Sequence, residues 1–66
     1  MTLRDLTAAQ LGVLELCALG LSNKQIAKFR GCSPSTVQAH LHAVYEKLGV
    51  AGRKQACSVY AQRELA

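Results

Sequence analysis

The same helix-start signal occurs twice early in the chain, and a third start of a different kind follows closely. In Leu6-Thr7-x-x-Gln10-Leu11, Thr7 suits the N-cap and Gln10 can reach back to close a capping box. Leu6 and Leu11 fall at the flanking apolar staple positions. Leu21-Ser22-x-x-Gln25-Ile26 repeats that arrangement with Ser22, Gln25 and the Leu21/Ile26 pair. Cys32-Ser33-Pro34 opens a third helix, with Ser33 as a preferred cap and Pro34 at the first position, where a missing N–H is harmless. Gly20, Gly31 and Gly49 stand where the first three helices should stop. A last helix after Gly52 completes the pattern, although glycine is a weaker cap than Ser or Thr. The spacing predicts helices at about 7–19, 23–30, 34–48 and 53–63. Nothing alternates with the period of a strand, and no repeat or low-complexity tract occurs.

This is an all-α, four-helix bundle-like reading, and residues 1–66 are expected to form one domain. Half of the residues are apolar, enough for one modest core. The first helix should turn Gln10, Val13, Leu14, Cys17, Ala18 and Leu21 inward, and the second Ile26 and Ala27. Met1 to Asp5 is expected to be a frayed lead-in. Gly12, inside the first helix, should cost about 0.5–1 kcal/mol relative to Ala, and close approach of another backbone would be one reason to keep it.

The second and third helices are separated only by Gly31-Cys32-Ser33. A glycine-containing turn of that length, between a short helix and a longer one, is the helix-turn-helix pattern. The third helix has two distinct faces. Val37, Leu41, Val44 and Leu48 recur at i, i+4, i+7 and i+11 and form one apolar stripe. Ser35, Gln38, Ala39, His42 and Glu46 lie on the other side. That face is polar but carries little charge, which suits the reading of base edges better than plain solvation.

Charge placement points the same way. The formal net charge is +4. Residues 21–54 hold Lys24, Lys28, Arg30, Lys47, Arg53 and Lys54 against Glu46 alone, a local balance of +5. A basic centre suits a polyanionic partner, here double-stranded DNA. The base readers would be Gln38 and His42, with Ala39 between them for a thymine methyl. Phosphate contacts would come from Asn23, Lys24, Ser35, Thr36, His40, Lys47 and Arg53. Structural alternatives stand beside these assignments. Asn23 could support a turn, Thr36 could help to cap its helix, and His40 could be a half-buried packing residue. Lys47 and Arg53 could be solvated or structural charges. On the last helix Ala56, Val59, Tyr60 and Arg63 share a face, and Cys57 and Ala61 widen it. The width leaves room for a dimer contact through Cys57, Tyr60 and Ala61; simple docking on the core is the alternative.

Other chemistry is poorly supplied. Cys17, Cys32 and Cys57 are odd in number and lack zinc spacing, so they are expected to be small apolar residues in a reducing cytoplasm. His40 and His42 point about 160° apart on a helix and cannot share a metal. No nucleophile has an evident base, and the glycines do not form a phosphate loop. The expectation is no enzyme, no metal and no cofactor. No apolar run approaches the ~20 residues of a membrane span.

Several segments resemble the LuxR-type (GerE-type) helix-turn-helix domain of bacterial transcription regulators. They are Leu6-Thr7, Val13-Leu14, Ala18-x-Gly20-x-Ser22-Asn23-Lys24-Gln25-Ile26-Ala27, Ser33-x-x-Thr36-Val37-Gln38-x-His40 and Lys47-Leu48-Gly49-Val50-x-x-Arg53-x-x-Ala56. The resemblance implies that the third helix enters the major groove and the fourth makes a homodimer contact. It implies base-reading positions at Gln38, Ala39 and His42, and phosphate positions including Asn23, Lys24, Thr36, His40 and Lys47. It also implies an N-terminal regulatory domain in many members. The chain departs from the family at several places. Ala9-Gln10 replaces Arg-Glu, Gly12 replaces a common Glu, and Gln38 replaces Lys or Arg. Arg30 replaces Leu. The expectation is that Arg30 lays its stem along the core edge with its guanidinium toward solvent, and that Phe29 turns inward instead. A rival function is a protein–protein interaction module without DNA binding, supported by the missing cation at Gln38 and by exposed Leu11 and Leu19.

Overall fold

The computed structural model describes residues 3–65, with side chains described through Gln62. Four helices follow one another: α1 (Ala8–Ala18), α2 (Asn23–Arg30), α3 (Pro34–Leu48) and α4 (Arg53–Leu65). Among the described residues there is no strand. The start signals act as the spacing predicts. Thr7 and Ser22 each accept from the backbone N–H three residues on, while Gln10 and Gln25 accept from the backbone N–H of the cap. Ser33 caps α3 with Pro34 in its first turn.

The stops share one geometry. Gly20, Gly31 and Gly49 adopt positive φ of 94°, 71° and 69°. The N–H of the next residue then reaches back five positions: Leu21 to Leu16, Cys32 to Ala27, Val50 to Tyr45. Each closure is a Schellman-type end, and the residue after each glycine is turned back onto the apolar interior. Leu21 and Cys32 also stand just before the caps of α2 and α3, so one side chain both closes a helix and seats the next.

Among the described residues the buried core is wholly apolar and forms two adjoining clusters. Val13, Cys17, Ile26, Ala27, Val37 and Leu41 join α1, α2 and α3. Leu14, Val44 and Ala56 join α1, α3 and α4, and Tyr45 touches both groups. Adjacent Val13 and Leu14 thus serve different clusters, which requires a wide apolar arc on α1. Three expectations are corrected here. Ala18 is exposed, because it lines a cleft that α4 leaves open, and Leu16 packs inward instead. The lead-in is a 3-10 turn over Leu3–Asp5, held in part by Leu3 and Leu6 packing on the second cluster; Met1 and Thr2 lie outside the described residues. Leu11 is half-buried rather than exposed.

Arg30 and Gly12 explain each other. Arg30 lies one turn beyond Ile26, so its direction leads across α1. The residue is exposed, as expected, but its guanidinium lies against α1 instead of reaching out to solvent, in the place a Cβ on Gly12 would take. The close neighbour of Gly12 is therefore a side chain and not a backbone. Phe29 does not turn inward: it is 74% exposed. It lies about 60° around α2 from Ile26, on the side away from Ala27, where it lines the cleft with Leu19 and Tyr60.

Two tests follow from the packing. Gly12→Ala should raise stability by about 0.5–1 kcal/mol, since a flexible guanidinium can move aside, whereas Gly49→Ala should lower it by about 1 kcal/mol through strain at positive φ; urea melts report both. The Cys17 thiol has its pKa raised from 9.0 to about 11, by burial first and by the neighbouring Cys57 second. The unfolded chain then loses that proton at lower pH than the folded one. Stability should therefore be insensitive to this group below pH 9 and fall by about 1–3 kcal/mol between pH 9 and 11. Cys17→Ser should flatten that limb of the pH profile.

Candidate nucleic-acid interface

Burial of the α3 stripe decides what the opposite face shows. Val37, Leu41 and Val44 are fully buried, and Leu48 is half-buried. Gln38, Ala39 and His42 consequently stand exposed together, with Ser35 and Thr36 at the N-terminal end of the same helix. The N-terminus of α2 lies beside them, bringing Asn23 close and leaving Lys24 exposed. His40 is half-buried toward one edge.

The polar groups are linked by a chain of hydrogen bonds. Arg53, at the start of α4, donates through Nη2 to the Leu21 carbonyl and through Nη1 to Asn23 Oδ1 at 2.9 Å. Asn23 Nδ2 donates to Gln38 Oε1 at 2.8 Å. Gln38 Nε2 stands 3.0 Å from His42 Nε2. The His42 ring is also tilted 45° to Tyr45, with centroids 6.2 Å apart.

Two cations of the basic centre are engaged inside the molecule. Half-buried Arg53 holds α4 to the α1–α2 joint, as described. Lys47 donates to the Asp5 carbonyl at 3.0 Å and to Gln10 Oε1 at 2.9 Å, tying α3 to the capped start of α1. Both make the structural contacts that stood as alternatives to phosphate binding. Thr36 Oγ1 lies 3.1 Å from Ser33 Oγ and takes part in capping α3. Lys24, Lys28, Arg30 and Lys54 remain exposed. At the expected dimer face, the Cys57 thiol turns inward to within 3.5 Å of Cys17 Sγ. Tyr60 donates to Glu15 at 3.1 Å, and exposed Ala61 lines the cleft between α1 and α4. The Arg63 side chain lies outside those described.

The linkage of Arg53, Asn23, Gln38 and His42 was not readable from the chain, because Arg53 and Asn23 are thirty positions apart and no short-range pattern joins them. Nothing in the group resembles catalytic machinery, and no cluster of metal-ligating side chains occurs among the described residues. No described helix is long and apolar enough to cross a membrane.

A short helix, a three-residue turn and a longer helix with a solvent-facing polar side define a helix-turn-helix module. Residues 4–60 match the luxR family of bacterial regulatory proteins. The chain belongs to that family, whose members are DNA-binding transcription regulators rather than a class of enzyme. It is 50% identical over 59 residues to an HTH-type transcriptional regulator of Mycobacterium bovis, covering 89% of this chain and 7% of that protein. It is 48% identical over 54 residues to the glycerol metabolism activator of Pseudomonas putida, covering 82% of this chain and 24% of that protein. Identity to the nitrate/nitrite response regulator NarP of Escherichia coli is 41% over 58 residues, covering 88% of this chain and 27% of that protein. The chain thus spans less than a third of the length of each of these relatives.

Lys47→Met should lower stability by about 1 kcal/mol through loss of its two oxygen partners, where a merely solvated lysine would tolerate the change. Chemical denaturation of the two proteins at low and high salt measures the difference.

Proposed function

We propose that this chain is the DNA-reading module of a transcription regulator and that α3 lies in the major groove. Gln38, Ala39 and His42 face the base edges; a glutamine can bind adenine at N6 and N7 through two bonds. The observation that carries this reading is the exposed side of α3. It is polar, carries little charge and is adaptable in hydrogen bonding, and it lies opposite the buried Val37, Leu41 and Val44. Asn23, Lys24, Ser35, Thr36 and His40 lie toward the phosphates, with the α2 and α3 N-termini supplying backbone donors. Lys47 and Arg53 act from behind, by fixing α3 against α1 and α4 against α2.

Two copies bind a two-fold-related site, paired along α4 through Tyr60 and Ala61; Cys57 supports the helix from its inner side. In the complete regulator a separate regulatory domain governs this module. The much greater length of the matched regulators supports that arrangement. A second reading, a protein-contact module, draws on Leu19 and Phe29. They are 75% and 74% exposed and line the cleft with Tyr60 and Ala61. It makes no use of the polar face of α3.

Salt titration separates the two readings. Binding to random duplex DNA should weaken linearly as log salt rises, and Lys24→Ala should reduce the slope by about one. A slope of zero in the unaltered protein would sink the DNA reading. Gln38→Ala should leave the slope in place and flatten the preference at one base position among sites selected from a random pool. Half-site spacing in that pool reports the dimer.

A further inference from the structure

We infer that Arg53 and Asn23 are positioning residues that set the direction of the hydrogen bonds running through Gln38 to His42, and thereby the pattern that these two side chains offer to DNA. The consequence for base preference rests on the function proposed above; the direction of the bonds does not.

The argument uses only which groups can donate. A guanidinium has N–H donors and no acceptor. The Asn23 atom facing Arg53 must therefore be its carbonyl oxygen, which leaves the amide NH₂ pointing at Gln38. That NH₂ in turn requires an oxygen on Gln38. The Gln38 NH₂ is then turned toward His42, whose Nε2 must accept, so its proton sits on Nδ1. This is not the tautomer that histidine favours when free in water. The second bond from Arg53, to the Leu21 carbonyl, anchors the origin of the series on backbone.

An unanchored glutamine can turn its amide over, exchanging donor and acceptor at little cost on an exposed helix. Here the turned form would place two NH₂ groups face to face. Gln38 therefore presents its acceptor toward α2 and its donor toward His42 in one fixed sense along α3. His42 is left with Nδ1–H as a donor, suited to an acceptor edge such as guanine N7 or O6, or thymine O4. Arg53 touches neither the bases nor the groups that read them, yet it selects between two mirror patterns of donor and acceptor.

Asn23→Asp tests the idea with almost no change in shape. A carboxylate still accepts from Arg53 but has nothing to donate to Gln38. The Gln38 amide should then reverse and present its oxygen to His42, moving the imidazole proton from Nδ1 to Nε2. Long-range ¹H–¹⁵N NMR of the free, unaltered 66-residue chain, at a pH where the ring is neutral, should show His42 as the Nδ1–H tautomer. The Asn23→Asp protein should show Nε2–H. Arg53→Met, checked for native helix content, should give a mixture of the two. The inference is overturned if the unaltered protein carries the proton on Nε2, or if Asn23→Asp leaves the tautomer unchanged.

Site selection supplies the DNA arm. Asn23→Asp should lower discrimination at the base under Gln38 by roughly tenfold, compared at salt concentrations that equalise overall affinity. A tautomer change without a change in selected sequence would overturn the specificity role while leaving the bond direction established. Failure of the unaltered protein to bind any duplex would remove the proposed function and leave the NMR result standing.

Discussion

Burial of Val37, Leu41 and Val44 is the constraint on which the rest of the molecule depends. Each side chain is at most 1% exposed, packed against α1, α2 or α4. Turning α3 about its axis would bring these groups into water at about 1.5–3 kcal/mol apiece. A domain this small has little stability to spare for such a loss. The helix is thereby locked in rotation, and the direction of Gln38, Ala39 and His42 follows. The surface that faces DNA in our reading is oriented by the aliphatic groups behind it.

The interhelix joints transmit the same rigidity. A glycine of positive φ lets the chain reverse, and the apolar residue after it returns to the core. At Leu21 and Cys32 that residue also seats the following helix. Two helices and their joint therefore share a side chain, and neither can shift without disturbing the other. The short α2 is held by this sharing as well as by Ile26 and Ala27, its two buried residues. Its N-terminus is held beside the polar side of α3 for the same reason.

Positive charge plays two parts that net charge cannot separate. Lys24 and Lys54 are exposed, whereas Lys47 and Arg53 are drawn into hydrogen bonds with backbone and side-chain oxygens. The inward pair strengthens the frame and has fewer donors left for phosphate. Gln38, exposed on α3, carries no charge and adds nothing to that count. In our reading of α3 as the DNA-facing helix, recognition relies comparatively more on directed hydrogen bonds and less on counterion release.

Local rules made most of the fold legible. Capping boxes, glycine stops and the period of α3 involve residues a few positions apart, so the chain alone determined the four helices, the tight turn and the buried stripe. It also determined that Gln38 and His42 would share an outward face, since residues four apart on a helix do so in any surroundings. Tertiary structure alone decided the fate of Ala18, of Phe29 and of the Gly12–Arg30 contact, because each depends on where another helix passes. It likewise decided that Lys47 and Arg53 turn inward and that Arg53 reaches Asn23. Charge and helical position are written in the sequence. Whether a long side chain finds a carbonyl or water depends on which oxygen the packed helices bring within about 3 Å.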